Sequence, residues 1–383
     1  MKIAVLGHGT VGSGVAEIIQ SEKFISSRKN KEPIELKSIL DIRNFSSSPY
    51  ADKFVGSFSL IENDDEIDTI VEAMGGLHPA FEYVKSSIEH GKNVVTSNKE
   101  LVSEKGAELL RLAKEKNVNF LFEASVGGGI PLIHPICQCM AHDVITEAAG
   151  ILNGTTNYIL TRMFADGASY DCALEEAQKL GYAELCPDAD VLGTDACRKI
   201  AILASLIWGF EVSPSEIKTE GISNITEKDV ECADKLGYSI KLIARAKTLS
   251  EGNISAEVSP ALVKHSSILS SVNGVNNAVL IRSENNAEVL FCGSGAGKMP
   301  TASAVISDII ETSKAKDKIP EIFWKPKDER KAEILPYQKQ KYFIRTDSGK
   351  AFITGPFDES ELISAGKEFE HGEKIISKIP VFE

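Results

Sequence analysis

The sequence is short of the patterns that most often build metal sites and disulfides. Its seven cysteines are an odd number without a Cys-x-x-Cys pair, and its seven histidines never fall into a His-x-His or His-x-x-x-His pair. Zinc sites usually depend on such closely spaced ligands, so we expect no zinc site. An odd set of scattered cysteines favours reduced thiols and therefore a cytoplasmic protein.

Long apolar runs and an excess of positive charge are also missing. No apolar segment of the sequence approaches the roughly 20 residues that cross a lipid bilayer. The formal net charge is −13, whereas a nucleic-acid surface needs clustered lysine and arginine. The sequence therefore predicts a protein whose partners include neither a membrane nor a nucleic acid.

What the sequence does contain is typical of a globular protein with several domains. The chain has 383 residues, of which 43% are hydrophobic and 25% are charged. This length suits two or three domains. Internal repeats and low-complexity tracts are absent from the sequence.

The first 131 residues alternate between short apolar strands and helical segments with short connections. This order is typical of a parallel sheet that is wound with helices on both faces. We therefore expect an α/β fold with a Rossmann-type doubly wound parallel sheet. The predicted strands lie in KIAVLG, IELKSILD, DTIVEAMGG, KNVVTSNK and NFLFEASVGGG, and the predicted helices lie in GHGTVGSGVAEIIQ, PAFEYVKSSIEHG and KGAELLRLAKEKN.

Beyond Pro131 the pattern changes to a run of helices followed by alternating strands. Such segregation is typical of an α+β domain. The predicted helices lie in IPLIHPICQCMAH, TNYILTRMFADG, ALEEAQKLG and TDACRKIAILASLIWGF, and the predicted strands in ISAEVSPALV, NAVLIRSE and AEVLFCGSG. The last predicted helix lies in TASAVISDIIETS, and a few strands end the chain.

A glycine loop follows the first predicted strand and opens the first predicted helix. Gly7, Gly9 and Gly12 form a Gly-x-Gly-x-x-Gly pattern, with Thr10 and Val11 inside it. In this context the pattern indicates a dinucleotide site, because the glycines let a pyrophosphate approach the helix N-terminus. The alternative is a glycine-rich turn that binds no ligand.

The end of the second predicted strand carries both an acid and an arginine, Asp41 and Arg43. An acid at this place usually binds the adenosine ribose of NAD, whereas an arginine accommodates the 2′-phosphate of NADP. The choice between NAD and NADP therefore stays open. A solvated turn is the alternative interpretation for each residue.

Asp195 and Lys199 lie four residues apart at the start of an apolar helix, so their side chains share one helix face. An ordinary surface pair on a helix would contribute only about 0.2–0.5 kcal/mol. The following residues, IAILASLIWGF, are apolar on all sides. A lysine at the edge of such a helix loses hydration, which lowers its pKa and suits it to proton transfer.

Several motifs resemble homoserine dehydrogenases, in the order in which that family carries them. The resemblance covers Met1 to Asp308, and its most specific parts are the blocks around Asn153 and Asp195. Cys186 departs from the family pattern, which usually has Asp, Asn or Ser there, and it bears on the geometry of one turn. The motifs are GHGTVGSGV, IVEAMGGLHPA, GKNVVTSNKELV, FEASVGGGIPLI, GILNGTTNYIL, AQKLGYAELCPDADVLGTDACRK and GSGAGKMPTASAVISD.

The resemblance implies a homodimer that reversibly reduces L-aspartate 4-semialdehyde to L-homoserine with NADH or NADPH, a step toward threonine and methionine. It also implies two domains, a linker and a C-terminal segment. Residues 1–131, rejoined by about 300–315, bind the dinucleotide, and residues 132–299 bind substrate and dimerise. Residues 316–340 are a linker, and residues 341–383 are a short C-terminal segment that resembles a remnant of a regulatory domain, because QKYFIR resembles the opening strand of that domain.

The resemblance also assigns roles to individual residues. Lys199 donates the proton to the aldehyde oxygen, and Asp195 orients Lys199 or the substrate. Lys99 contacts the substrate or the cofactor, with an exposed loop lysine as the alternative. Glu184 and Asp190, with Asp195, bind the substrate. The cofactor residues are Gly7, Gly9, Thr10, Val11, Gly12, Asp41, Arg43, Gly75, Lys99, Gly181 and Gly297.

Two further segments have alternative interpretations. By resemblance, Glu123 and the carbonyls of Val126, Gly128 and Ile130 hold a sodium ion, although the residues alone suggest a flexible hinge. Residues 153–157, NGTTN, line the cleft or simply form a strand-to-helix turn.

Two other functions compete with the dehydrogenase interpretation. One is a dehydrogenase for a different semialdehyde or amino acid, and the other is a dinucleotide-binding sensor without activity. The joint presence of Lys99, Asp195 and Lys199 favours the enzyme. Many family members carry a C-terminal domain that binds threonine, but about forty residues remain here, so we do not expect inhibition by threonine.

Overall fold

The alternating strands and helices of the first third of the chain form a six-stranded parallel sheet in the computed structural model. The structure describes residues 1–28, 31–314, 322–337, 339–358, 361 and 373–383. The chain divides into two units, and neither is a continuous stretch. Unit 1 comprises Met1–His142, Ala201–Ser213 and Gly293–Arg330, and unit 2 comprises Asp143–Ile200, Pro214–Cys292 and Lys331–Glu383.

Unit 1 has the strand order β3-β2-β1-β4-β5-β6, and all neighbours run parallel. The order reverses beside β1, which is where open α/β sheets bind ligands at the carboxyl ends of their strands. The strands are β1 (Lys2–Leu6), β2 (Glu35–Leu40), β3 (Phe54–Val55), β4 (Thr69–Glu72), β5 (Asn93–Thr96) and β6 (Phe120–Leu121). The helices are α1 (Thr10–Gln20), α2 (Glu22–Ser27), α3 (Ser59–Glu62), α4 (Ala80–Glu89) and α5 (Lys99–Lys116).

Unit 1 is completed by α11 (Lys298–Lys314), which packs on α1. The approach is close, because a Cβ on Gly14 would lie 2.9 Å from the Cβ of Ala302. Residues 316–340, expected as a linker, are described only at 322–337 and 339–340. There Trp324 is 2% exposed, and its ring centroid lies 5.6 Å from that of Phe122.

Unit 2 contains a mixed sheet with the strand order β12-β11-β7-β9-β10-β15-β13-β14, and β8 pairs with β10. Helices precede and interrupt these strands in the chain. The strands are β7 (Ile145–Ile151), β8 (Lys218–Thr219), β9 (Tyr238–Thr248), β10 (Ile254–Lys264), β11 (Asn276–Ser283), β12 (Ala287–Ser294), β13 (Tyr342–Thr346), β14 (Ala351–Ile353) and β15 (Ile375–Phe382). The helices are α6 (Gly154–Asp166), α7 (Tyr170–Lys179), α8 (Asp188–Val191), α9 (Thr194–Trp208), whose last residues belong to unit 1, and α10 (Glu227–Lys235).

The predicted fold class, a Rossmann-type parallel sheet followed by a mixed α and β domain, is confirmed. One predicted helix is shorter than expected: within IPLIHPICQCMAH the helical residues are 133–139, and Pro135–Cys139 form a π-helical turn. Pro135 lies at the start of this turn, where its missing N–H needs no partner within the helix. Among the described residues, none of the helices is long and apolar enough to cross a membrane.

Candidate active site

The glycine loop between β1 and α1 is shaped by close backbone contacts. Gly7 has a φ of +92°, and a Cβ on Gly12 would lie 1.9 Å from the carbonyl oxygen of Gly7. Neither position therefore accepts a side chain without a shift of the backbone. Gly9, by contrast, faces open space, and the nearest atom to its ideal Cβ is Arg43 Nη2 at 3.9 Å.

Helix α1 begins directly behind this loop with Thr10, Val11 and Gly12 in its first turn. Gly9 is its N-cap and provides no side-chain hydrogen bond. The first amides of a helix have no partners within the helix, so they point their hydrogens toward the loop. The loop and these amides fit the phosphates of a dinucleotide.

Asp41 and Arg43 form one hydrogen-bonded group beside the loop. Asp41 accepts from Arg43 Nε at 2.9 Å, from Arg43 Nη2 at 2.8 Å and from the backbone amide of His8 at 2.7 Å. These Arg43 hydrogen bonds hold the pKa of the Asp41 carboxyl well below its usual range. The side chain of Asp41 is 5% exposed and that of Arg43 is 58% exposed, so the arginine presents the charge to solvent.

His8 is a neighbour of this group that the sequence did not single out. Its ring lies edge-on to Phe45 and Phe54, with centroids 4.9 Å and 5.2 Å away. Burial lowers the pKa of His8. The glycine pattern leaves the residue at position 8 unspecified, so nothing in the sequence pointed to it.

Lys99 is the first residue of α5, not part of the preceding loop. Asn98 caps this helix by accepting from the amide of Leu101 at 3.1 Å, and its Nδ2 donates to the carbonyl of Gly76 at 2.6 Å. The cap therefore fixes the start of α5 beside the loop that follows β4. Lys99 lies at the carboxyl edge of the parallel sheet, half-buried.

Gly75 belongs to that same loop and has a φ of +76°. Glu72, at the end of β4, is fully buried and accepts from the amides of Met74 at 2.8 Å and Gly75 at 3.3 Å, and from the hydroxyl of Thr96. Burial raises the pKa of the Glu72 carboxyl. Glu72 therefore fixes the loop that follows β4, and the sequence patterns did not single it out.

The Asp195–Lys199 pair lies in unit 2 and is almost completely buried. Lys199 Nζ donates to Asp195 Oδ2 at 2.7 Å and to the carbonyl oxygen of Leu152 at 2.7 Å. The two side chains are 6% and 10% exposed, respectively. A buried ion pair of this kind contrasts with the exposed helix pair that was the alternative interpretation.

Asp190 joins this pair through the side chain of Asn153. Asn153 Nδ2 donates to Asp190 Oδ1 at 2.7 Å and to Asp195 Oδ2 at 2.9 Å. The pKa of Asp190 is raised, mainly by burial and also by the charge of Asp195. Hydrogen bonds from Asn153 and Thr155 oppose this shift. The structure thus brings Asp190, Asp195 and Lys199 together around Asn153.

Two further predicted residues of unit 2 are Glu184 and Gly181. Glu184 is exposed, and its backbone carbonyl accepts from Gln178 Nε2 at 3.0 Å. Gly181 follows α7 with a φ of +75°.

Glu123 of unit 1 is buried and accepts three backbone amide hydrogens. Its Oε1 accepts from Leu132 at 2.5 Å and from Ile133 at 2.9 Å, and its Oε2 accepts from His134 at 2.8 Å. The glycines between have positive φ angles of +75° at Gly127 and +57° at Gly128. This carboxylate therefore fixes the turn that holds Val126, Gly128 and Ile130.

Two side chains beside Glu123 were not predicted. His134 Nε2 lies 3.3 Å from Asp308 Oδ1, and Asp308 Oδ2 accepts from the amide of Glu123 at 2.8 Å. One ligand atom each from Glu123, His134 and Asp308 lies within 4.8 Å of the others. No sequence spacing joins these residues, because β6 and α11 bring them together only in the fold.

The loop before α11 contacts the same glycine turn. A Cβ on Gly128 would lie 2.5 Å from the carbonyl carbon of Gly295, and one on Gly129 would lie 2.7 Å from the Cβ of Pro300. Gly297 has a φ of +115°. The close approach of the two segments explains Gly128 and Gly129, and the positive φ explains Gly297.

Family models match most of the chain. Residues 7–123 match the model of the homoserine dehydrogenase NAD-binding domain, and residues 131–310 match the homoserine dehydrogenase model. The chain belongs to the homoserine dehydrogenase family. Members of this family are oxidoreductases with an NAD-binding domain, and the prediction of an enzyme of this class is confirmed.

Curated relatives support this assignment over most of the chain. The homoserine dehydrogenase of Lactococcus lactis is 41% identical over 82% of this chain and 74% of its own length. That of Synechocystis is 43% identical over 81% of this chain and 72% of its own length.

Solved structures of homoserine dehydrogenases have the same fold. The enzyme from Thiobacillus denitrificans superposes with a TM-score of 0.90 at 31% identity, covering 100% of this chain and 98% of that chain. A hyperthermophilic archaeal homoserine dehydrogenase in complex with NADPH superposes with a TM-score of 0.71 at 29% identity, covering 84% of this chain and 99% of that chain.

Proposed function

We propose that this protein interconverts L-aspartate 4-semialdehyde and L-homoserine with NADP(H) as the preferred cofactor, in the cytoplasm and as a homodimer. The main support for this reaction is the position of the buried ammonium group of Lys199. Its Nζ lies 2.7 Å from Asp195 Oδ2 and 2.7 Å from the carbonyl oxygen of Leu152. The family assignment supplies the substrate class. The bound dinucleotide supplies the hydride.

The chain's own residues move the proton and bind the amino-acid end of the substrate. Lys199 gives its proton to the aldehyde oxygen as the alcohol forms, and Asp195 keeps the ammonium group oriented. Asp190 and Glu184 attract the ammonium group of the substrate by charge. Lys99, at the carboxyl edge of the sheet, contacts the cofactor or the substrate oxygen.

The preference for NADP is argued from Arg43. Its guanidinium group is exposed and fixed by Asp41, and it lies next to Gly9, where the phosphates would approach. The Asp41 carboxylate already accepts from Arg43 and His8, so binding ribose hydroxyls would compete with these hydrogen bonds. A fixed guanidinium group suits a phosphate. The other cofactor contacts that we propose are Gly7, Thr10, Val11, Gly12, Gly75, Gly181 and Gly297.

A sodium ion is proposed at Glu123 and the carbonyls of Val126, Gly128 and Ile130. Three amides occupy the Glu123 carboxylate, which has about four lone-pair positions, so one position is left for a ligand bond. Oxygen ligands suit a hard cation. The melting temperature in sodium chloride should exceed that in choline chloride at equal ionic strength, and equal values would contradict the sodium site.

One observation supports the cytoplasm and another supports the dimer. All seven cysteines are free thiols, which fits a reducing compartment. Strand β12 is a largely exposed edge of the unit 2 sheet, and such edges offer a pairing surface. Light scattering on the eluted protein tests the dimer, and a monomeric mass at micromolar concentration would contradict it.

The reaction is tested by the reduction of NADP and NAD with L-homoserine, followed by the absorbance of the reduced nicotinamide. We expect activity with both cofactors and a higher kcat/KM with NADP. The variant Arg43→Ala should lower the NADP to NAD ratio of kcat/KM by about tenfold or more, because it removes the charged hydrogen bonds to the phosphate. Absence of activity with both cofactors in protein that binds dinucleotide would overturn the proposed function.

A further inference from the structure

Asn153 connects the two carboxylates of the candidate site and also begins α6. Its side chain is buried, with 4% of the residue exposed. Its Oδ1 accepts from the amide of Thr156 at 2.8 Å and from the Thr156 hydroxyl at 2.9 Å. These bonds make Asn153 the N-cap of α6.

The amide nitrogen of Asn153 faces only negative charge among the contacts that the structure gives. It donates to Asp190 Oδ1 at 2.7 Å and to Asp195 Oδ2 at 2.9 Å. A flipped amide would place its oxygen against two carboxylates and its nitrogen against an N–H group. Only one orientation of this side chain is therefore compatible with its neighbours.

We propose that Asn153 is a positioning residue that holds the carboxylates of Asp190 and Asp195 side by side and so places Asp195 against Lys199. The inference rests on the proposed function, since it assigns Asn153 to the same proton-transfer site. Asp195 Oδ2 is the shared atom, because it accepts from Asn153 and from Lys199.

Capping alone does not require asparagine at this position. Serine or aspartate would also accept from the first amides of α6. Serine brings at most one donor, and aspartate brings none and adds a third negative charge. Only a primary amide supplies one acceptor to the helix and two donors to the carboxylates in a single planar group.

The charged groups around Asp190 explain what the amide does electrostatically. Asp195 and Lys199 face it from α9, and Asn153 and Thr155 face it from the start of α6. Two carboxylates close together disfavour each other's ionised form, and hydrogen bonds to the ionised form oppose that effect. Loss of the amide should therefore raise the pKa of Asp190 further.

The experiment compares Asn153→Ser and Asn153→Asp with the wild type in a pH profile of kcat/KM for L-homoserine. In Asn153→Ser we expect the acidic limb to move up by about one pH unit, which lowers kcat/KM on that limb about tenfold. Asn153→Asp should lose about a hundredfold or more, because it adds a like charge. Both variants keep the cap, so any fall in their melting temperatures reports the carboxylates that have lost their donor or gained a like charge.

Ser169→Ala is the matched control for capping. Ser169 accepts from the amide of Cys172 at 3.2 Å at the start of α7, away from the carboxylates. Its loss should lower the melting temperature and leave the pH profile unchanged. A profile of folded Asn153→Ser that coincides with that of the wild type would overturn the positioning role.

A readout on the wild type separates this inference from the proposed function. In carbon-detected NMR of the wild type, the Asp190 carboxyl should titrate together with a change at the Asn153 side-chain amide, whose protons should exchange slowly with solvent. Rapid exchange and an amide that ignores the titration would overturn the inference even without any variant. Lack of activity in the wild type, with this NMR coupling present, would overturn the proposed function alone.

Discussion

Lys241 is a buried lysine whose acceptors in the structure are all neutral. Its Nζ donates to Asn157 Oδ1 at 3.1 Å, to the carbonyl of Val272 at 2.7 Å and to Asn273 Oδ1 at 2.9 Å. The residue is 2% exposed, and burial lowers its pKa to about 8. The folded protein therefore holds this proton less tightly than an unfolded chain, in which a lysine pKa is about 10.4.

This shift predicts a pH dependence of stability. Below pH 8 both states carry the proton, and the cost of burying the charge is fully present. Between about pH 8 and pH 10 the unfolded state binds more protons, so stability rises with pH. We expect the free energy of unfolding of the wild type to rise over that range, relative to Lys241→Met, by up to about 3 kcal/mol. Urea unfolding at several pH values measures it, and parallel curves for the two proteins would contradict it.

At the residue scale, the sequence predicted one part of the site and missed another. Asp195 and Lys199 were predicted to share a helix face because they are four residues apart, and the structure joins them. The bridging contact of Asn153 was not predictable, because Asn153 lies before α6 and its partners lie in α8 and α9. Such contacts depend on how helices pack, and no local periodicity records them.

At the scale of elements, two glycines of the glycine loop have different roles. Gly12 is needed for the fold, and Gly9 is expected to leave room for the dinucleotide. A Cβ on Gly12 would lie 1.9 Å from the Gly7 carbonyl oxygen, whereas one on Gly9 would meet nothing closer than 3.9 Å. We expect Gly12→Ala to lower the melting temperature by several degrees, because the backbone must move. Gly9→Ala should leave the melting temperature unchanged and weaken dinucleotide binding about tenfold or more, because the methyl group blocks the phosphates.

Calorimetry of NADP binding and thermal melting of both variants measure these effects. The Gly9→Ala variant is the informative one, since its fold is expected to be intact. Unchanged affinity for NADP in Gly9→Ala would contradict the position that we assign to the phosphates.

The C-terminal strands are attached to unit 2 by a buried ion pair as well as by the sheet. Arg345 on β13 donates to Asp229 Oδ1 at 2.7 Å, and their side chains are 10% and 1% exposed. Burial alone would raise the pKa of Asp229, but hydrogen bonds from Arg345, Thr226 and Ser377 outweigh it and lower the pKa. Asp229 also completes the cap of α10 with Thr226.

Removal of one partner of this pair should therefore lower the free energy of unfolding substantially. We expect Arg345→Met to destabilise the protein by about 3–5 kcal/mol, because it leaves the Asp229 carboxylate buried without its cation. The double variant Arg345→Met with Asp229→Asn should recover part of this loss. Chemical unfolding measures both variants, and a loss below about 1 kcal/mol in the single variant would show that the pair does not attach the strands.

Two of the strands that the sequence did not predict, β3 and β7, were missed for different physical reasons. Strand β3 has two residues at the edge of its sheet, too few for an apolar alternation. Strand β7, ITEAAGI, consists largely of small residues, and a Cβ on Gly150 would lie 2.2 Å from the carbonyl oxygen of Ala278 on β11. Its sequence is set by the close approach of the neighbouring strand, so a scan for alternating large apolar residues does not find it.

At the scale of the whole molecule, segments that lie far apart in the sequence belong to the same unit. Unit 1 takes three separate segments, and its first segment extends to His142. Helix α11 closes unit 1 from the far end of the sequence, with Lys298 Nζ 2.7 Å from Glu17 Oε2 on α1. The parallel sheet could be predicted from alternation, but the partition of the later segments depends on contacts between distant parts of the chain.

We propose that Lys199 transfers the proton in an otherwise conventional dinucleotide-dependent oxidation of L-homoserine. The most direct measurement is kcat for Lys199→Ala beside Lys179→Ala, with NADP binding determined for both. Lys179 forms an exposed pair with Glu175 at the same four-residue spacing, 3.6 Å apart, and serves as the matched control. We expect Lys199→Ala to lower kcat about 10²–10⁴-fold with NADP still bound, and Lys179→Ala to stay within about twofold of the wild type. A kcat of Lys199→Ala close to that of the wild type would contradict proton transfer by Lys199.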